Sequence, residues 1–321
     1  MPLRIAGALA IVYLVWGSTY LGIAVAIETL PPLLMAAVRF LTAGAILYFV
    51  ASRAGERAAD RPGRREWAAA VVTGVPLFLG GNGGVVWAQQ TVPSGIAALL
   101  IATVPLWIVL LDRLVYRTRL SAQGLVGLVL GFGGLVLLVD PGGSEGIDPV
   151  GAATLAAAAL AWALGSLLSR SASLPARPLV AAAMQMLAGG SALGLVAVAT
   201  GELSEIRLEE FSGRSVLAFA YLIVFGSILA FSAYAWLLRV ARTSLVATYA
   251  YVNPVVAVAL GWAVLGEAIA RRTLLAGAII VAAVALIVSA PGLRQARARP
   301  TAPAPPQSAD RSRAAAATRG T

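Results

Sequence analysis

Arg39 is the one charged residue set well inside a long apolar run, and a guanidinium in that position is costly unless it is paired or used. It lies about seven residues from the nearer end of its run, roughly 10 Å by helical rise. Two roles are open to it. Its planar fork could hold an anionic group such as a carboxylate. Alternatively it could bind helix carbonyls or Glu28 and partly snorkel to the interface, and this structural role is favoured by the shallow depth. Histidine and cysteine are absent, which removes the usual proton carrier and the thiolate metal ligands. All 14 acidic residues fall at the ends of apolar runs or between them, with Glu28, Asp112 and Glu267 closest to the runs. No carboxylate is placed at mid-depth to carry a proton, and no His/Asp/Glu constellation is available for catalysis. The expectation is therefore a non-enzyme with no cofactor and no metal. The polar and aromatic residues Trp16, Asn82, Trp87, Thr103, Tyr251 and Asn253 are the candidates for lining a solute cavity, since amide, hydroxyl and aromatic groups together suit many small solutes.

These residues need a scaffold, and composition names its solvent. Of the residues, 60% are hydrophobic and 12% charged, too few polar groups to cover a water-exposed surface of this size. Ten apolar runs are long enough to cross a bilayer, from Leu3–Ala26 to Thr273–Ala290. Runs of this length are helical, because open sheet edges cannot be satisfied in lipid. The fold class read from the chain is an all-α membrane protein of ten transmembrane helices.

All 24 basic residues are arginine. With alternate connectors assigned to opposite sides, nineteen arginines fall on the side of both termini and four on the other, Arg39 being internal. That excess puts both termini in the cytoplasm. The net charge of +10 is thereby an orientation signal, and nucleic acid is not an expected partner. The expected partners are a small-molecule substrate and membrane lipid; oligomeric state does not follow from the sequence. Residues 291–321 are rich in Arg, Pro and Ala without apolar periodicity and read as a disordered cytoplasmic tail.

The chain also repeats. At an offset of 146, Trp16 falls on Trp162, Pro32 on Pro178, Gly44 on Gly190 and Arg39 on the neutral Gln185, which again favours a structural Arg39. At 149, Trp87 falls on Trp236 and Pro105 on Pro254. Five spans per half is an odd number, so the halves at 5–139 and 150–290 enter the membrane in opposite senses. Such inverted repeats place a solute site near the midplane at their seam. Pro76, Pro105 and Pro254 lie inside spans, where each removes a backbone donor and kinks its helix. Gly127 and Gly131, with Gly277 in the tenth span, offer small faces for close packing.

Several stretches resemble one family closely: Trp16-Gly17-Ser18-Thr19-Tyr20, Glu28 through Phe40, Gly81-Asn82-Gly83, Val92-Pro93-Ser94-Gly95, Ala102-Thr103-Val104-Pro105, and Tyr249 through Val258 followed by Gly266-Glu267. The chain is similar over roughly residues 5–290 to the EamA family of the drug/metabolite transporter superfamily. The resemblance implies a ten-helix exporter of the inner (plasma) membrane, with spans one, three, four, six, eight and nine around a central cavity and spans five and ten peripheral. Gln89 and Gln90 depart from the charged or histidine residues that relatives often carry after the Trp87 position, so no coupling role is assigned there.

Overall fold

The computed structural model describes residues 3–53, 62–117, 121–139 and 147–290. The tail 291–321 lies outside the described residues. Among those described, all regular structure is helical. The spans are α1 (Leu3–Ala26), α2 (Pro32–Arg53), α3 (Arg64–Ala88), α4 (Ser94–Tyr116), α5 (Ala122–Val139), α6 (Pro149–Ser169), α7 (Pro178–Ala199), α8 (Gly213–Val240) and α10 (Arg271–Ser289). The shorter α9 (Tyr249–Leu265) completes the set, preceded by one turn at Thr243–Val246.

Four of these spans are irregular, and the irregularities pair across the repeat. Within α3 the stretch Val75–Gly83 is π-helical, and within α8 so is Leu222–Leu229. Pro76 sits at the start of the first, where its missing N–H cannot hold a tight ladder. In α4 the helix breaks at Ala102–Thr103, just before Pro105, and the Thr103 hydroxyl takes up the Leu100 carbonyl at 2.6 Å. A matching turn at Ala247–Thr248 separates α9 from its lead-in.

Packing relies on small residues, because lipid supplies no hydrophobic drive between helices. The repeat-equivalent glycines meet across α2 and α7: a Cβ on Gly44 would lie 3.1 Å from the Ala183 carbonyl, and one on Gly190 3.1 Å from the Leu41 amide. On the periphery α5 lies along α10, with Gly127 against Ile287 and Gly134 against Ile280.

The end of the bundle away from the termini is tied across the two repeats. The Glu202 carboxylate caps the start of α2, accepting from Leu33 N at 3.1 Å and Leu34 N at 2.7 Å. Glu267 does the same for α4, accepting from Ser94 N at 2.6 Å and Gly95 N at 3.0 Å. Asp148 caps α6 through Val150 N and Gly151 N and also accepts from Thr91 Oγ1 at 2.7 Å. Glu28 pairs with Arg214 at 3.6 Å, and Thr29 accepts from Ser212 N at 3.1 Å. The Glu202, Glu267 and Asp148 carboxylates sit where α2, α4 and α6 begin, the positive ends of those helices. The Asp148 carboxyl is held below its ordinary range, by the Thr91 hydroxyl first and then by the Gly151 and Val150 amides, against desolvation. Its contribution is therefore present above the ordinary carboxylate range and fades as pH falls through the depressed value.

Candidate transport cavity

A cavity of about 660 Å³ lies at the seam of the repeats, within the range of small-molecule sites. Its wall draws on α1, α3, α4, α6, α8 and α9, joined by Arg39 from α2 and by Ile287 and Val288 from the otherwise peripheral α10. It extends from Ile23 and Val85 in the depth to Arg242 and Val246 between α8 and α9, on the side of the termini. Arg242 is exposed there, whereas no residue of the tied connectors at the opposite end contributes to the wall.

Aromatic rings form its middle. Trp16 stands 5.1 Å from Phe231, 5.1 Å from Tyr234 and 5.2 Å from Tyr249, centroid to centroid. Its Nε1 donates to the Gly226 carbonyl at 3.2 Å, inside the π-helical stretch of α8. Trp162, its repeat mate, lies over Gly81 in the π-helical stretch of α3, where a Cβ would come within 2.7 Å of the indole. Each repeat thus lays a tryptophan on the widened turn of the other. Asn82 also lines the cavity, and its Nδ2 reaches the Leu77 carbonyl at 3.3 Å. Asn253, a third lining residue, places the end of its side-chain amide 3.2 Å from the carbonyls of Tyr249 and Tyr13.

Arg39 reaches this wall from α2 and is buried, with 4% of its surface exposed. Among the described residues neither Glu28, which is engaged by Arg214, nor a helix carbonyl holds it, and the buried guanidinium does not snorkel outward. Its Nε donates to Ser227 Oγ at 2.8 Å, and its Cζ lies 4.8 Å from the Phe40 ring centre. The repeat-equivalent Gln185 is likewise inside the bundle, donating to Thr73 at 2.8 Å and Ser169 at 3.0 Å.

The other three candidates do not line the cavity. Trp87, at the far end of α3, is 41% exposed. Thr103 is fully buried, its hydroxyl spent on the helix break. Tyr251 packs half-buried against the main core. Residues the sequence reading missed include Phe231, Arg242 and the Gly226-Ser227 pair. The last had a signal, since an offset of 146 puts Gly226 on Gly80 and Ser227 on Gly81. Gln89 is also structural, donating to the Tyr20 carbonyl at 3.0 Å.

A family model described as the EamA-like transporter family matches the chain twice, over residues 4–140 and 149–289. The chain belongs to the EamA-like transporter family. Among EamA relatives, the uncharacterised inner membrane transporter YedA of Escherichia coli (strain K12) is 40% identical over 282 residues, 88% of this chain and 89% of its own length. A probable amino-acid metabolite efflux pump of the same organism is 28% identical over 176 residues, 51% of this chain and 53% of its own. One crystal structure, 22% identical in sequence, shares the fold with a TM-score of 0.62, covering 92% of this chain and 99% of that one. The chain is accordingly an EamA membrane transporter matched by two family repeats, and among the described residues nine helices are long and apolar enough to cross a membrane, with the shorter α9 beside them.

Proposed function

We propose that this transporter exports small metabolites, amino acids or drug-like solutes from the cytoplasm across the inner membrane by alternating access between its two repeats. One observation carries the reading: the seam cavity reaches the bundle surface on the side of the termini, while the opposite end is tied from repeat to repeat by Glu202, Glu267, Thr91–Asp148 and Thr29–Ser212. Because the repeats are inverted, exchanging their two conformations moves the opening to the other face. The irregular turns of α3 and α4 border the cavity through Asn82 and Ala102, where non-helical backbone is tolerated at membrane depth, and that of α8 lies behind the lining Trp16, whose indole it accepts at the Gly226 carbonyl. The arginine excess supports a cytoplasmic position for the termini, so the open side is the cytoplasmic one. The efflux assignment of a partial relative supports the direction.

A channel would need a continuous path through both ends. The separating experiment is counterflow in vesicles loaded with an unlabelled metabolite panel. The expected result is saturable uptake of labelled solute driven by the same unlabelled solute inside. Flux that rises linearly with concentration and shows no exchange would overturn the carrier mechanism.

A further inference from the structure

The cavity wall contains two arginines, Arg39 and Arg242, and among the described residues no aspartate or glutamate. The wall is therefore cationic, and Arg39 is the decisive member. It is nine-tenths buried, yet its only hydrogen-bond partner among the described residues is Ser227, taken by Nε. The outer nitrogens of the fork remain for a further acceptor, the geometry that a carboxylate or similar oxyanion matches. The fork also meets the aromatic cluster: its Nη2 lies 3.1 Å from the place a Cβ on Gly226 would occupy, and the Trp16 indole is bonded to that same residue's carbonyl. Thr19 closes on the same spot, 3.0 Å from that Cβ position.

We infer that the transported solute is a small organic anion, with one oxyanion group received by Arg39 and an apolar or aromatic body set against Trp16, Phe231, Tyr234 and Tyr249. This rests on the transport reading above and narrows its substrate class. Arg242, exposed at the open end, raises the local concentration of such an anion. A zwitterion would bring an ammonium into a wall with two like charges and no carboxylate. Aromatic faces can hold cations, but these rings are packed on one another, Trp16 edge-on to Phe231 and Tyr249, and Tyr234 edge-on to Tyr249. A lone cation meets the same repulsion without compensation.

The test uses the full chain in phosphatidylcholine vesicles and three labelled probes that share one ring and chain: 3-phenylpropionate, phenylalanine and phenethylamine. Binding and exchange are measured for each. The expected result is 3-phenylpropionate preferred about tenfold or more over both others, a preference lost in Arg39→Gln. Should Arg39→Gln fail to fold, Gly226→Ala retains the charge but crowds Nη2, and is expected to weaken the anion selectively. Equal or better handling of phenylalanine or phenethylamine would overturn the anion assignment and leave the transport reading standing. Displacement by added phosphatidylglycerol with no exchange of 3-phenylpropionate would assign Arg39 to a lipid headgroup and also overturn it. Saturable exchange of none of the three by the wild-type chain would overturn the anion assignment, and the transport reading is then decided separately by the counterflow panel.

Discussion

Glu267→Ala is expected to lower the thermal midpoint of the detergent-solubilised protein by about 5–10 °C, a loss of about 3 kcal/mol. The carboxylate accepts from Ser94 N at 2.6 Å and Gly95 N at 3.0 Å, two of the donors that the first turn of α4 cannot satisfy internally. Ser94 and Gly95 are buried, so water does not replace the lost acceptor. Charge-assisted bonds at a helix start are among the stronger polar contacts, and their loss leaves orphan donors as well. The chain prepares this cap locally. Gly266 adopts φ +67, a left-handed turn that sends the chain back toward α4, and the Glu267 amide donates to the Gly261 carbonyl. A Cβ on Gly261 would lie 2.3 Å from Glu267 Oε2, so Gly261→Ala should reproduce most of the Glu267→Ala effect by evicting the carboxylate. Glu267→Gln keeps an acceptor without the charge and should fall between. Thermal scans of the three variants check the order, and an unchanged midpoint for Glu267→Ala would refute the cap's contribution.

Gly189→Leu should cost as much or more, about 3 kcal/mol or above, and drive much of the protein out of the folded pool. At Gly189 the backbones of α3 and α7 nearly touch: an added Cβ would lie 2.4 Å from Phe78 Cβ and 2.7 Å from the Gly74 carbonyl. Neither neighbour can yield. Phe78 is 2% exposed and packs edge-on to Phe40 at 4.7 Å, with Phe231 and Trp162 beyond it at 6.3 Å and 6.5 Å. Displacing Phe78 therefore moves the cavity's own aromatic wall, and solute binding should weaken in any fraction that still folds. Gly194, on the same helix, supplies the control. Its nearest neighbour to an added Cβ is Ala37 at 3.8 Å, an ordinary contact, so Gly194→Ala should be neutral or slightly stabilising through helix propensity. Size-exclusion profiles and thermal midpoints separate the two outcomes.

The spans and the duplication were plain in the sequence because length, composition and the recurrence of Trp and Pro report directly on them. Which face a residue takes was not. Helices that are apolar nearly all round carry little pattern to separate cavity from lipid or core. Trp16, Asn82 and Asn253 reach the cavity, yet Trp87 faces outward and Thr103 is consumed by the break in α4. The π-helical stretches were equally hidden, since α8 widens without any proline to announce it. Arg39 shows the limit most clearly. Its depth is written in the sequence, but its partner Ser227 is 188 residues away on a span whose rotation only packing decides. Glu202 and Glu267 are likewise ordinary connector acids until the fold brings them to the starts of α2 and α4.

The central claim, one cavity reached alternately from two faces, is tested by thiol labelling of Ala250→Cys. Ala250 lines the cavity, and the native chain has no cysteine to interfere. In sealed vesicles of each orientation, an impermeant maleimide should modify this cysteine rapidly from the side of the termini and more slowly from the opposite side. Adding Glu202→Gln, which weakens the tie to α2, should raise the slower rate. Labelling confined to one face in every background would contradict alternating access.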